Sequence, residues 1–249
     1  MWRLSAMSIF YDIAVVLRDV ASLFLPRTCL ACGRVLLENE GCVCLACRYN
    51  MPLTNFAKRK DNPIKLLFEN VLPVESAAAM FWFVGGTEWQ RIIHNFKYHG
   101  RWFFAQKMGE WLGEELLDSG NFDDIDLIVP IPLHYRRRLR RGYNQSEQLA
   151  LGVGRKMGVE CDFRSVRRRH YNDSQTSKSR SERWDNVEEI FDVRRAERLR
   201  GKHILLLDDV LTTGATMASC ASAIVKACEG DVLISVASLS VSRRIIEER

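Results

Sequence analysis

The chain has 249 residues, 47% of them hydrophobic, with 36 lysines and arginines against 31 acids. That is enough apolar material for a full core and a small second module, which excludes a chain without a core. The net charge of +5 is too modest to argue alone for a nucleic-acid-binding protein.

At the start of the chain, Ile9, Ile13, Val16, Val20 and Leu23 recur at helical spacing, while Asp12, Arg18 and Asp19 interrupt the apolar run. Residues 1–25 therefore read as an amphipathic helix rather than a membrane span. The basic start, apolar centre and small-residue cleavage site of a secretory leader are missing. The expectation is a cytoplasmic protein with no transmembrane segment.

Of the eight cysteines, five crowd between residues 29 and 47. Cys29-x-x-Cys32 and Cys44-x-x-Cys47 form two knuckles separated by eleven residues. Four thiolates at this spacing suit a tetrahedral, structural zinc with no open coordination position, and Gly33 and Gly41 ease the turns. The paired spacing favours Cys44 over Cys42, leaving Cys42 a spectator. Cys161, Cys220 and Cys228 fall in apolar or helical patterns and read as core residues. The zinc module is expected over 26–52.

Residues 53–75 are mixed in character, with Pro63, Pro73 and the cluster Lys58, Arg59, Lys60, and read as a linker into a domain over 76–249. An apolar, aromatic run at 76–84 predicts a strand that Gly85 and Gly86 end. Trp89, Ile92, Ile93 and Phe96 predict a helix, and Met108, Trp111, Leu112 and Leu116 a second one. The next strand is 125–129, which Pro130 and Pro132 end or push to an edge.

A basic loop then follows, with five arginines among the six residues 136–141, before Asn144 and Glu147 mark the start of another helix. Such a run is usually a solvated charged face. Its position after a strand tilts this one toward binding polyanions. Residues 134–183 hold 14 lysines and arginines against 5 acids, a bias the whole-chain charge conceals. Residues 170–186 are polar and poor in core residues. A loop this long inside an α/β domain reads as a lid, although a plain linker has the same composition. Phe191 and Val193 resume a strand, and 232–241 supplies the last.

The most informative stretch is 203–216. The apolar run 204–207 has the purity of a strand buried on both faces in a parallel sheet. It ends in Asp208 and Asp209, then Thr212, Thr213, Gly214, Ala215 and Thr216 lead into a helix with Met217, Cys220, Ala221, Ile224 and Cys228 on one stripe. Ligands of open α/β sheets bind at the carboxyl ends of strands. The free amides of a helix start, a permissive glycine and threonine hydroxyls make a phosphate site. The two carboxylates would repel a phosphate but accept hydrogen bonds from a sugar diol. Phosphate and diol together describe a ribose 5-phosphate.

This stretch resembles the phosphoribosyl-pyrophosphate (PRPP) signature of type I phosphoribosyltransferases, whose paired acids hold the ribose hydroxyls and whose Thr-Thr-Gly-Ala-Thr loop cradles the 5-phosphate. The whole chain resembles the ComF family, which joins a cysteine-rich zinc module to a phosphoribosyltransferase-like domain. The resemblance is carried by the knuckles, by Phe96-Lys97-Tyr98-His99-Gly100, and by Val129-Pro130-Ile131-Pro132-Leu133-His134 through Arg137, Arg141, Gly142, Asn144 and Gln145. Gln175, Arg183, Asn186 and the PRPP signature complete it. It implies an α/β fold, a mostly parallel sheet flanked by helices.

The resemblance also implies roles. Asp208 and Asp209 would orient the ribose beside developing positive charge, and residues 212–216 would anchor its phosphate. Lys97, Arg137 or Arg141 would face the pyrophosphate, which leaves with Mg²⁺. Gln175, Lys178 and Arg183 would lie on the closing lid. Thr212 stands where purine-salvage relatives carry an acid, so the loop is closer to orotate- or amido-type relatives. Phosphoribosyl transfer with a link to DNA uptake is one expectation. The alternatives are a PRPP sensor without chemistry, or an accessory protein that binds single-stranded DNA and other competence proteins.

Overall fold

The computed structural model describes residues 26–69, 71–97, 102–169, 190–243 and 245. The helix expected over 1–25 and the expected lid, with Gln175, Lys178 and Arg183, lie outside the described residues. The chain divides into two units, Met1–Asn50 and Met51–Arg249.

In the smaller unit, Thr28 and Val35 form an antiparallel bridge. Gly33 turns the chain between them at φ +78°, and its N–H donates to the Cys29 carbonyl at 2.9 Å. The Leu30 N–H donates to the Cys42 carbonyl at 3.0 Å, which ties the first knuckle to the second. Helix α1 (Leu45–Tyr49) starts at Cys44, whose sulfur accepts from the Cys47 N–H.

The larger unit opens with a 3₁₀ turn at Phe56–Lys58, then α2 (Pro63–Phe68), β1 (Ala77–Phe83), α3 (Glu88–Lys97) and α4 (Trp102–Ser119). Next come β2 (Leu127–Pro130), α5 (Tyr135–Arg141), α6 (Gln145–Met157), β3 (Val166–Arg168) and β4 (Phe191–Val193). The chain continues through β5 (His203–Leu211), α7 (Ala215–Ala227) and β6 (Leu233–Ser242).

Four strands make a wholly parallel sheet in the order β1-β6-β5-β2. Central β5 pairs Leu206 with Val129 on one side and with Val236 on the other. Ile204, Leu205, Leu206 and Leu207 are fully buried, as an unbroken apolar run between two helical layers requires. β2 ends at Pro130, and beyond it residues 160–162 run alongside: the Ile128 N–H donates to the Glu160 carbonyl and the Asp162 N–H to the Ile128 carbonyl, each at 2.9 Å. Parallel pairing brings the carboxyl ends of all four strands to one rim of the sheet.

Two expectations are corrected. Residues 53–75 are not a loose linker, because Phe56, Ile64, Phe68, Leu72 and Val74 are buried in the core that holds β1, β5 and α7. Asn62 makes this possible: its Oδ1 caps α2 through the Ile64 and Lys65 N–H groups, and its Nδ2 donates to the Ala77 carbonyl at 2.8 Å. The basic run is not a loop but helix α5, capped by His134 Nδ1, which accepts from the Arg136 N–H at 3.3 Å, and ended by Gly142 at φ +81°. Arginine and leucine are good helix formers, so a run of them between a cap and a glycine needs no apolar stripe to be helical.

The depth of α6 is set by glycine. A Cβ on Gly109 of α4 would fall on the Leu149 carbonyl, and one on Gly152 of α6 would fall on the Gln106 carbonyl. The two helices therefore meet backbone to backbone, and the first turn of α6 is held against the end of β5.

Candidate functional site

Asp208 and Asp209 occupy β5 where it reaches the rim, both half-buried. Asp208 Oδ1 accepts from Ser146 Oγ of α6 at 2.8 Å and from the Asp209 N–H at 2.9 Å. Ser240 Oγ on neighbouring β6 donates to the Asp209 carbonyl at 3.3 Å. The Asp208 carboxylate is thus held by α6, and the Asp209 backbone by β6.

The following loop exposes Thr212 and Thr213 and turns into α7 at Gly214, the helix N-cap, with φ +76°. A side chain there would meet Leu67 and Phe68 of α2 only at 3.6 Å or beyond, so the demand for glycine is conformational rather than steric. No side chain caps α7. Thr213 Oγ1 lies 3.5 Å from the Ala215 N–H, at the limit of a hydrogen bond. The first amides of a thirteen-residue helix, together with Thr216, therefore face the rim as donors.

Helix α5 sorts its arginines by face. Arg136, Arg138 and Arg140 are exposed, whereas Arg137 and Arg141, one turn apart, are half-buried. Arg141 Nη1 donates to Gln145 Oε1 at 3.1 Å, and Arg138 pairs with Glu147 at 3.2 Å. Burial holds the His134 imidazole below its usual pKa, helped by Arg136, Arg168 and Arg137, while a hydrogen bond to the Arg169 backbone opposes. The capping ring is therefore neutral near pH 7, as its acceptor role requires.

Sequence reasoning missed Arg168 and Ser146. Antiparallel pairing of β3 with β4 sets Arg168 opposite Phe191, on the face it shares with Val166, and Arg167 opposite Asp192. The Arg168 guanidinium carbon lies 5.6 Å from the centre of the Phe191 ring. Burial and then the neighbouring Arg137 charge lower its pKa, while Asp208 raises it. Its Nε is buried and meets no acceptor among the described residues. Arg168 is thus close enough to Arg137 and to Asp208 of β5 to feel both charges. Strand alternation across Arg167, Arg168 and Arg169 was the available signal, but it needed the β4 partner to say which residue faces inward.

Lys97 is the last residue of α3, and its side chain lies outside what is described, as do Tyr98, His99 and Gly100.

In the smaller unit, the sulfurs of Cys29, Cys32, Cys44 and Cys47 all lie within 4.8 Å of one another. Tetrahedral zinc with Zn–S bonds of ~2.3 Å places its sulfurs ~3.8 Å apart, and Cys32 and Cys44 are separated by 3.8 Å. Burial opposes the Cys44 thiolate, but the Cys47 N–H and the surrounding thiols bring its pKa down to about 7. The donor set fits zinc. Cys42 is buried outside this group. Among the described residues no helix is long and apolar enough to cross a membrane.

Residues 139–249 match the phosphoribosyl transferase domain family. The chain is 31% identical over 138 residues to the DNA utilization protein YhgH of Escherichia coli K12, covering 54% of this chain and 60% of that one. It is 37% identical over 94 residues to competence protein ComFC of Bacillus subtilis, covering 36% of this chain and 35% of that one. Among solved structures, a glutamine PRPP amidotransferase from B. subtilis is similar at 16% identity and a TM-score of 0.37, over 54% of this chain and 25% of that one. The match to the curated relatives thus spans 60% of their length or less.

Proposed function

Because the chain belongs to the ComF family, with a phosphoribosyltransferase-like domain, we propose that its rim site binds PRPP and transfers phosphoribose with release of pyrophosphate. One observation carries this reading. An acid pair whose first member is held by Ser146, and an uncapped helix start that opens at Gly214 with positive φ, stand toward the carboxyl end of one buried strand. The helix start suits the 5-phosphate, and Asp208 and Asp209 suit the ribose hydroxyls.

Displacement at the anomeric carbon develops positive charge on the sugar and negative charge on the leaving group. Asp208 and Asp209 answer the first. Arg137, Arg141 and Arg168 answer the second, and Lys97 joins them in this proposal. Mg²⁺ bound with the pyrophosphate supplies further charge neutralisation. The cysteine cluster serves as a structural zinc site and takes no part in the chemistry.

A second reading, a nucleic-acid-binding accessory protein or a PRPP sensor, draws on the exposed Arg136, Arg138 and Arg140 beside Leu139, which is 79% exposed. The relatives' names link them to DNA utilization and competence, and the same link is proposed here. Calorimetry with PRPP and with ATP, each with Mg²⁺, tests the ligand. PRPP should bind more tightly, and tighter binding of ATP would overturn the assignment. Pyrophosphate release from PRPP in the presence of a metabolite extract separates an enzyme from a sensor.

A further inference from the structure

The start of α6 buries three consecutive polar side chains, Asn144, Gln145 and Ser146, each at most 4% exposed. Burial of this kind is costly unless donors and acceptors are paired. Asn144 is accounted for: its Nδ2 donates to the Ile131 carbonyl at 3.1 Å, and its Oδ1 accepts from the Ser146 N–H at 3.2 Å. The Ile131 N–H in turn donates to the Leu207 carbonyl of β5 at 2.8 Å, which places this turn at the rim. Ser146 Oγ is accounted for by Asp208. Gln145 is the exception, because its Nε2 is buried and meets no acceptor among the described residues.

The orientation of this amide is set by Arg141. A guanidinium only donates, so the Gln145 oxygen has to be the atom that meets Arg141 Nη1 at 3.1 Å. Exchanging the two ends of the amide would set donor against donor. The NH₂ group therefore occupies the other branch, with both protons unengaged. Position on the helix narrows what can meet it. Adjacent helical residues leave the axis about 100° apart. Ser146 points to Asp208, whereas Gln145 points to the end of α5, where Arg137 and Arg141 form the half-buried face. In the phosphoribose reading, that is the pyrophosphate side.

We infer that Gln145 is a pyrophosphate contact of the rim site, its Nε2 donating to an oxygen of the diphosphate carried at the anomeric carbon. The inference rests on the phosphoribose reading and deepens it. The bond strengthens as negative charge grows on the departing group, since hydrogen bonds to ionised acceptors are the stronger ones. A neutral donor suits this place, because Arg137 and Arg141 already stand there and a further cation would be repelled by them. The donor is covered in the ligand-free chain, so binding shifts Arg141 and Gln145 together toward the diphosphate.

The test is calorimetry on the full chain with Mg²⁺ and three ligands: PRPP, pyrophosphate and ribose 5-phosphate. Gln145→Glu keeps an acceptor for Arg141 and puts a second oxygen where the donor stood, so PRPP and pyrophosphate should both weaken more than about tenfold. Gln145→Met adds no charge and has a similar length, and it should weaken both about tenfold. With Gln145→Met, ribose 5-phosphate should stay within about twofold of wild type. A second readout serves if the substitutions disturb folding. The side-chain amide of Gln145, identified in the proton–nitrogen spectrum as the signal pair that either substitution deletes, should move when pyrophosphate and Mg²⁺ are added to wild type. Wild-type protein that binds neither PRPP nor pyrophosphate would overturn the phosphoribose reading and this inference with it. Wild-type binding that both variants retain, or a Gln145 signal that stays in place, would overturn this inference alone. Loss of ribose 5-phosphate equal to that of PRPP would make Gln145 a structural prop of α6 instead.

Discussion

Ser146 Oγ, in the first turn of α6, donates a 2.8 Å hydrogen bond to Asp208 Oδ1 at the end of β5, 62 residues away in sequence. This bond joins the helix that follows the basic run to the strand that carries the acid pair. It leaves Asp208 oriented before any ligand arrives, which lowers the ordering cost of binding a sugar diol. Ser146→Ala should leave the fold intact, because the serine is buried where a methyl group fits the same space. A hydrogen bond to a charged group is worth ~1.5–3 kcal/mol, so PRPP affinity should fall about tenfold. Unchanged affinity by calorimetry would remove Ser146 from the site.

Arg168 gives a sharper contrast between ligands. If it faces the pyrophosphate with Arg137, then Arg168→Gln should weaken PRPP by about 10–100-fold, the span expected for one or two charge-assisted bonds. Ribose 5-phosphate lacks the pyrophosphate and should bind almost as it does to wild type. Equal losses for both ligands would assign Arg168 to the structure of the site rather than to the leaving group.

Much of this arrangement was legible in the sequence, for identifiable reasons. The run from Ile204 to Asp209 and the loop through Thr216 combine a pure apolar strand, two acids and a glycine, and each local signal agrees with the next. The helical start at Asn144 was equally plain, and its Oδ1 accepts from the Ser146 N–H at 3.2 Å. Helix α5 was hidden because seven mostly charged residues carry no apolar period. The 53–75 segment was misread because its prolines and lysines masked Ile64, Phe68, Leu72 and Val74, which are buried together, with Asn62 capping the short helix that carries the first two. Arg168 could not be told from its neighbours until β4 was aligned opposite β3.

Glu115 on α4 makes stability depend on pH. Burial pushes its carboxyl up to about 7, with the Lys58 charge opposing. An unfolded glutamate titrates near ~4.3, so the folded chain holds this proton more tightly. The stabilising contribution is complete below about pH 4, declines as pH rises toward 7, and is gone above it. Glu115→Gln should therefore match wild type in denaturant melts near pH 4 and exceed it at pH 8. The gain has an upper bound of about 4 kcal/mol, reduced by the lost attraction to Lys58. A variant less stable than wild type at pH 8 would contradict the assigned burial penalty.

The cysteine cluster predicts close to one zinc per chain by elemental analysis. Structural zinc contributes ~10–16 kcal/mol of apparent folding free energy in small finger peptides. Residues 26–50 bury few large side chains that could replace it. Cys29→Ser or a strong chelator should make this segment protease-sensitive while the β5–α7 core persists. Protein with far less than one zinc and a protease-resistant segment over 29–47 would sink the assignment.

The central claim is that Asp208 and Asp209 hold the ribose of PRPP, and calorimetry on Asp208→Asn with Asp209→Asn tests it most directly. Removing two negative charges next to a polyanion relieves some repulsion, which salt screens only in part because both acids are half-buried. Loss of two charged acceptors should prevail and weaken PRPP at least ~100-fold. The predicted result is that loss at every salt concentration, with the thermal melt close to wild type. A double variant that melts as wild type does and binds PRPP with wild-type affinity would contradict the account.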